Sequence, residues 1–416
     1  MATRLRNLSE EPPGEWDAGH LGDVCRTRTR QVSPADVAET CYVGLEHMVP
    51  GRRYIDAWGS SGDVESAKFR FESGDVLFGK LRPYLRKVSM APHEGVCSTD
   101  ILVLAPRQAD DGGFLLYLCQ SERVLQFAIA TSGGTRMPRT SWSDLRDCPV
   151  LLPPPEERRR IAAVLRSVDE AIERTEAVIA ALREVKRGMM QELLTKGIGH
   201  TEFVESRVGL MPRAWHLVRL GELVESMRNG LARSVLHEDV GLPMVRSSNI
   251  TRDGIDLQDM KYWYPDDPDG EDLSKFELEA GDLIVTRVNS VELTGMSALF
   301  TEQARPHIYS SNLFRVRVRR SRLLPEYAFL FFQGEVYWRH VTGIIKPAVN
   351  QASFPQPDFL SMLVPLPPIE EQQEAVSTVA AATDAVTALL QDAGRLQTLK
   401  RGLMQQLLTG KVRVKV

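Results

Sequence analysis

Two kinds of hydrophobic pattern alternate along this chain, and each occurs twice. After residue 156, apolar side chains recur at Ile161, Leu165, Val168, Ile172, Ile179, Leu182, Met189 and Leu193, with Thr175 and Lys186 filling the two remaining seam positions. Steps of four and three alternate, as they do in the buried seam of a coiled-coil helix. A second stripe runs through Ala375, Val379, Ala382, Val386, Leu389, Ala393, Leu396, Leu403 and Leu407, again interrupted by a lysine, Lys400. A helix of about 40 residues spans about 60 Å, further than a domain of this size. The two stripes are therefore expected to bury each other rather than to pack each on its own domain. Pro153, Pro154 and Pro155 stop the segment before the first helix, and Glu156 and Glu157 suit its first turn, where the helix dipole favours acids.

The segments before each stripe read differently. Short runs of Val, Ile, Phe and Tyr are cut by Gly, Pro, Asp and Asn. Phe314, Val316 and Val318 alternate with Arg315, Arg317 and Arg319, which predicts a half-exposed strand. Ile101, Leu102, Val103 and Leu104 predict a buried strand, and residues 114–129 and 326–341 predict short helices. These domains are expected to be mixed α+β.

The alternation reflects an internal duplication. Pro13, Trp16 and Leu21-Gly22-Asp23 return as Pro212, Trp215 and Leu220-Gly221-Glu222. Gly74-Asp75 returns as Gly281-Asp282, and Ser98-Thr99-Asp100-Ile101 as Ser310-Ser311-Asn312-Leu313. From the prolines onward the offset holds at 214, and KRGMMQELLT at 186–195 becomes KRGLMQQLLT at 400–409, identical at eight of ten positions. The expected organisation is a first domain over 1–152, a helical spacer over 153–199, a second domain over 200–366 and a second spacer over 367–416.

Composition is that of an ordinary globular protein, 43% hydrophobic and 25% charged. No apolar run approaches the roughly 18 residues of a membrane span, and the N-terminus lacks the apolar core of a secretion signal. A cytoplasmic protein without a membrane partner is expected. The five cysteines, Cys25, Cys41, Cys97, Cys119 and Cys148, form no CxxC pair and are expected to be reduced and mostly buried. Net charge is −4, so a nucleic-acid binder with this balance must concentrate its basic residues on one face.

Catalytic signatures are missing from the sequence. It has no GxxxxGK[ST] phosphate loop, no GxGxxG after a strand, no tight histidine pair and no Asn/Asp-Pro-Pro-aromatic motif. Glu184-Val185-Lys186 lacks the upstream acid of a nuclease motif, and the two Gly-Asp pairs read as turns. Trp58, Trp142, Trp263 and Trp338 are expected in the core. The basic residues are more suggestive. Arg26, Arg28 and Arg30 alternate, as do Arg315, Arg317 and Arg319. Lys80, Arg82, Arg86 and Lys87 cluster, and Arg136 and Arg139 flank a glycine-rich turn. Arginines on strands and loops suit phosphate positioning and guanine reading. The candidate DNA contacts are these two clusters with Arg52, Arg53, Arg246, Arg252, Arg287, Asn289, Lys346 and Asn350.

Several segments resemble the specificity subunits of type I restriction-modification enzymes. They are Tyr42-Val43-Gly44-Leu45-Glu46-His47, Val76 to Tyr84, Cys97-Ser98-Thr99-Asp100, Thr135-Arg136-Met137-Pro138, Leu366 to Gln372 and both KRG helix ends. The resemblance covers nearly the whole chain. It implies two target recognition domains that read the halves of a split site on double-stranded DNA. It also implies two long helices pairing as an antiparallel coiled coil with pseudo-twofold symmetry. Two modification subunits would methylate adenine N6 with S-adenosylmethionine, and restriction subunits would cleave with ATP and Mg, this chain binding no cofactor and holding no catalytic residue. The second half departs from the pattern at Val245-Arg246-Ser247-Ser248-Asn249, so the domains should read different half-sites. A stand-alone DNA-binding regulator is the alternative.

Overall fold

The computed structural model describes residues 12–33, 39–252, 254–349 and 351–414. It divides into two compact units, Met1–Val178 with Leu389–Val416, and Ile179–Ala388.

In the first unit a four-stranded antiparallel sheet runs in the order Cys25–Arg28, Ile101–Pro106, Val76–Gly79, Val88–Met90. Successive strand side chains point to opposite faces, so this sheet feeds two cores. Val76, Phe78, Leu102 and Leu104 face the helices Gly112–Gln120 and Glu122–Ala130. Leu77, Ile101 and Val103 face a second cluster with Val43, Met48, Ile55 and Phe71. A five-stranded sheet flanks it, in which Cys41–Val43 runs parallel to Gly95–Cys97. Asp17–His20 pairs with Pro149–Leu152 and leads the chain to the first long helix, Pro155–Thr195.

The second unit repeats the plan. Its sheet runs Val224–Asn229, Leu313–Val318, Leu283–Thr286, Ser297–Leu299. Leu283, Val285, Phe314 and Val316 face the helices Pro325–Phe331 and Glu335–Ile344, and Ile284 and Leu313 face the other core. His216–Arg219 pairs with Leu363–Leu366 before the second long helix, Ile369–Leu407.

Three expectations need correction. The strand Leu313–Val318 is not half-exposed, because Arg315 is buried and Arg317 is clamped by Asp282 at 2.6 and 3.1 Å. The Arg315 guanidinium donates to Glu277 O, while that of Arg317 is neutralised by Asp282 and Glu279. Arg28 is held in the same way by Asp75 at 2.8 Å, whereas Arg26, Arg30 and Arg319 are exposed, so the middle arginine of each alternation is taken up by an acid. Second, residues 114–129 and 326–341 each hold two helices. Ser121 breaks the first pair and caps the next helix by accepting from Val124 N, and Gly334 separates the second pair. Third, Trp58 is 50% exposed and sits edge-on to His93.

Four of the five cysteines are buried, and burial pushes the Cys25 and Cys148 thiols up to about 12. No helix among the described residues is long and apolar enough to cross a membrane.

On the long helices Ile161, Leu165, Val168, Ile172, Ile179, Val379, Val386 and Leu407 are buried. Leu182, Met189, Leu193, Leu389, Leu396 and Leu403 are half-buried. In the first unit Leu407 shares a cluster with Ile161 and Leu165. In the second, Leu193 and Leu194 share one with Ala375 and Val379. In the first unit Leu407 groups with Ile161 and Leu165 while Lys400 meets Asp169, an order that makes the helical segments antiparallel there. Lys400 meets Asp169 at 2.7 Å, and both side chains are over nine-tenths buried.

The duplicated tryptophan and glutamate explain how each domain is fixed to its helix. Trp16 donates to Glu157 at 2.8 Å, and Trp215 donates to Glu371 at 3.0 Å. Arg413 completes the first clamp, and His200 with the Ile198 N–H completes the second.

Candidate nucleic-acid interface

The candidate DNA contacts gather mainly at one end of each central sheet. In the first unit the strand Val76–Gly79 runs on into Lys80, whose N–H donates to Asp100 O at 2.9 Å. Leu81 then bridges Arg139, and Arg139 bridges Gly133, forming a small ribbon. Arg82 N donates to Pro138 O at 2.7 Å and fastens the loop to the glycine-rich turn.

The second unit builds the same frame from different residues. Arg287 N donates to Asn312 O at 2.8 Å. Val288–Asn289 pairs with Ala352–Ser353, which pairs with Lys346–Pro347. Lys80 and Arg287 thus occupy equivalent places, as do Arg82 and Asn289. The frame recurs because it is made by backbone hydrogen bonds, which tolerate side-chain change.

The cations differ in how they are held. Arg136 is exposed and forms no hydrogen bond or ion pair with another described residue, and the same holds for Arg252. The Lys80 and Arg82 side chains also lack such partners among the described residues, and Arg82 Nε is buried without one. Arg139 reaches Asp100 at 3.0 Å in an exposed pair, which is weak and easily exchanged for a phosphate. Arg86 grips Glu122 at 2.7 and 2.9 Å and, chiefly through these hydrogen bonds, holds that carboxyl below its ordinary range. Lys87 donates to Leu45 O at 2.6 Å. Arg287 lies over the Phe314 ring, the Asn289 side chain accepts from Ser290 N, and Lys346 is exposed, 3.6 Å from Asp358. Asn350 lies outside the described residues.

Four candidates lie elsewhere, Arg252 directly after the short strand Ile250–Thr251. Arg52 pairs with Glu176 and Arg53 with Glu170 at 3.3 Å, both carboxylates being on the first long helix. Their charge is neutralised where the domain meets its helix. Arg246 donates to Asp259 O at 3.1 Å. Its own N–H donates to the Asn249 side chain, just as Gly44 N donates to His47.

Sequence reasoning passed over the exposed apolar residues on the same frame. Tyr84, Leu85 and Met137 stand out in the first unit, and Val291, Leu293 and Val349 in the second. The available signal was the repeat itself, since an offset of 207 relates Tyr84 to Val291. No group of His, Cys, Asp and Glu among the described residues is arranged to hold a metal ion.

The Type I restriction modification DNA specificity domain family matches residues 13–184. The type I restriction enzyme MjaVIII specificity subunit of Methanocaldococcus jannaschii is 24% identical over 352 residues, 82% of this chain and 77% of that one. The EcoKI specificity subunit of Escherichia coli K12 is 24% identical over 281 residues, 67% of this chain and 60% of that one. Matches span from 34% to 77% of such curated relatives' own length. A solved chain from work on complex assembly and conformational transition of the type I R-M system covers 97% of this chain and 100% of its own, at 21% identity and a TM-score of 0.60. That likeness shows a shared fold of mixed helix and sheet.

Proposed function

We propose that this chain, a member of the type I restriction-modification specificity family, reads a two-part DNA site, one half with each unit, for a methyltransferase and endonuclease complex. The observation that carries this reading is a contrast within the duplication. Three of the four positions exposed at both helix ends are identical, Arg187, Gly188 and Gln191 against Arg401, Gly402 and Gln405, whereas the exposed residues on the two equivalent sheet ends differ. Matching surfaces suit two copies of one protein partner, and unlike surfaces suit two different DNA sequences. The long helices pair as an antiparallel coiled coil and act as the spacer between readers. In this reading the chain supplies no catalytic residue. Two modification subunits methylate adenine N6 with S-adenosylmethionine, and restriction subunits use ATP and Mg.

The test is a selection from random duplex DNA. The chain assembled with its modification subunit should recover a gapped, two-part sequence. A stand-alone regulator predicts that the chain alone recovers its site equally well, and that outcome would displace the proposal.

A further inference from the structure

We infer that the ribbon at the end of each central sheet is the base-reading element, with Arg136 addressing a guanine in one half-site and Val349 a thymine methyl group in the other. The inference rests on the proposed DNA-specificity role and names the residues that would carry it.

Four observations converge on this element. First, six of the sixteen large hydrophobic side chains exposed among the described residues lie on it or on the loops beside it, three in each unit, and Val349 is 99% exposed. Scattered exposed apolar residues need no explanation, but the same concentration at the same place in both units does. Second, the cations interleaved with them in the first unit are uncommitted. Lys80, Arg82 and Arg136 have no side-chain hydrogen bond or ion pair among the described residues. Third, Arg82 and Arg86 have φ of 51° and 55° and are the two non-glycine residues in the left-handed region among those described. Such strain persists only where the surroundings enforce it, and here the hydrogen bond from Arg82 N to Pro138 O does so. It presents the turn Pro83–Leu85, with Tyr84 half-exposed, beside the ribbon.

The fourth observation separates DNA from a protein partner. The frame is the same in the two units, but Arg82 faces Asn289 in the comparison, Tyr84 faces Val291 and Met137 faces Gln351. A protein bound in two copies would require matching surfaces. Two dissimilar half-sites require unlike ones. The outer two-stranded part of each ribbon, Gly133 with Arg139 and Lys346–Pro347 with Ala352–Ser353, suits the major groove of DNA, where arginine reads guanine O6 and N7 and aliphatic groups meet the thymine methyl. Exposed Arg139 and Lys346 at the ribbon edges then suit phosphate.

The test uses the full chain expressed with its modification subunit, and reads N6-methyladenine across the genome. Arg136→Ala should make one guanine position of one half-site degenerate, raising methylation at the non-guanine sites roughly tenfold. Arg136→Gln should shift that position toward adenine. Val349→Ser should relax a thymine position in the other half-site only. An unchanged motif, a change in both half-sites or lost assembly with the modification subunit would overturn the inference. So would a uniform loss at all sites with assembly intact, because that assigns Arg136 to phosphate. Failure of the DNA-specificity role itself is distinct: the unsubstituted chain would then yield no two-part motif at all.

Discussion

The indole N–H of Trp16 donates to the Glu157 carboxylate at 2.8 Å, joining residues 141 positions apart. Glu157 is 1% exposed and also accepts from Arg413 through both Oε1 and Oε2, each at 2.8 Å. Removing one partner leaves buried charge or donors unsatisfied. Glu157→Ala should destabilise the first unit by about 3 kcal/mol, and Trp16→Phe by about 1–2 kcal/mol. Urea unfolding followed by tryptophan fluorescence checks both. Equal stability of Glu157→Ala would contradict the clamp.

The same carboxyl sets a pH dependence. Burial alone would raise Glu157, but the hydrogen bonds from Arg413 and Trp16 and the Arg413 charge outweigh it and hold the group below the usual range. A folded pKa below the unfolded one means stabilisation that is full above the unfolded value, about 4.3, and fades as pH falls through the folded value. Glu157→Gln should therefore flatten the acid limb of the stability curve below about pH 5 while leaving its neutral region level. Stability measured from pH 2 to 7 tests this, and a parallel acid limb in both proteins would contradict it.

The lysine that interrupts the second stripe has a partner of its own. Lys400 meets Asp169, which also accepts from Tyr117 at 2.7 Å, and Lys400 donates to Gly51 O at 2.9 Å. The position equivalent to Asp169 in the second long helix is Thr383, so this carboxylate belongs to the first unit. Asp169→Ala should cost about 3–5 kcal/mol by leaving the ammonium buried and unpaired. The double change Asp169→Leu with Lys400→Met should recover most of that loss. A double-mutant cycle in denaturant gives the coupling, and a value near zero would sink the idea.

If the paired helices act as the spacer, adding one heptad to both should lengthen the gap in the recognised site. Seven helical residues add about 10 Å, close to three base pairs. Motif mapping of the lengthened chain checks this, and an unchanged gap refutes the spacer role.

The features legible in the sequence were those with a period. Seam positions such as Ile161 and Val379 recur at helical spacing, and the offset of 214 ties Glu157 to Glu371. Environment was less legible. Alternation at Arg315 and Arg317 reads the same whether a strand face meets water or protein acceptors, and only tertiary contact, of Arg315 with Glu277 O and of Arg317 with Asp282 and Glu279, separates the two. His47 and Asn249 perform one hydrogen-bonding task with no shared identity. Loop residues such as Met137 and Val349 carry no periodicity, so their exposure becomes visible only once the ribbon is folded.

The most direct measurement of the central claim is a genome-wide map of N6-methyladenine in cells expressing the modification subunit, with and without this chain. The account predicts one gapped, two-part motif, methylated only when the chain is present. No chain-dependent methylation, with a modification subunit shown to bind the chain, would contradict it.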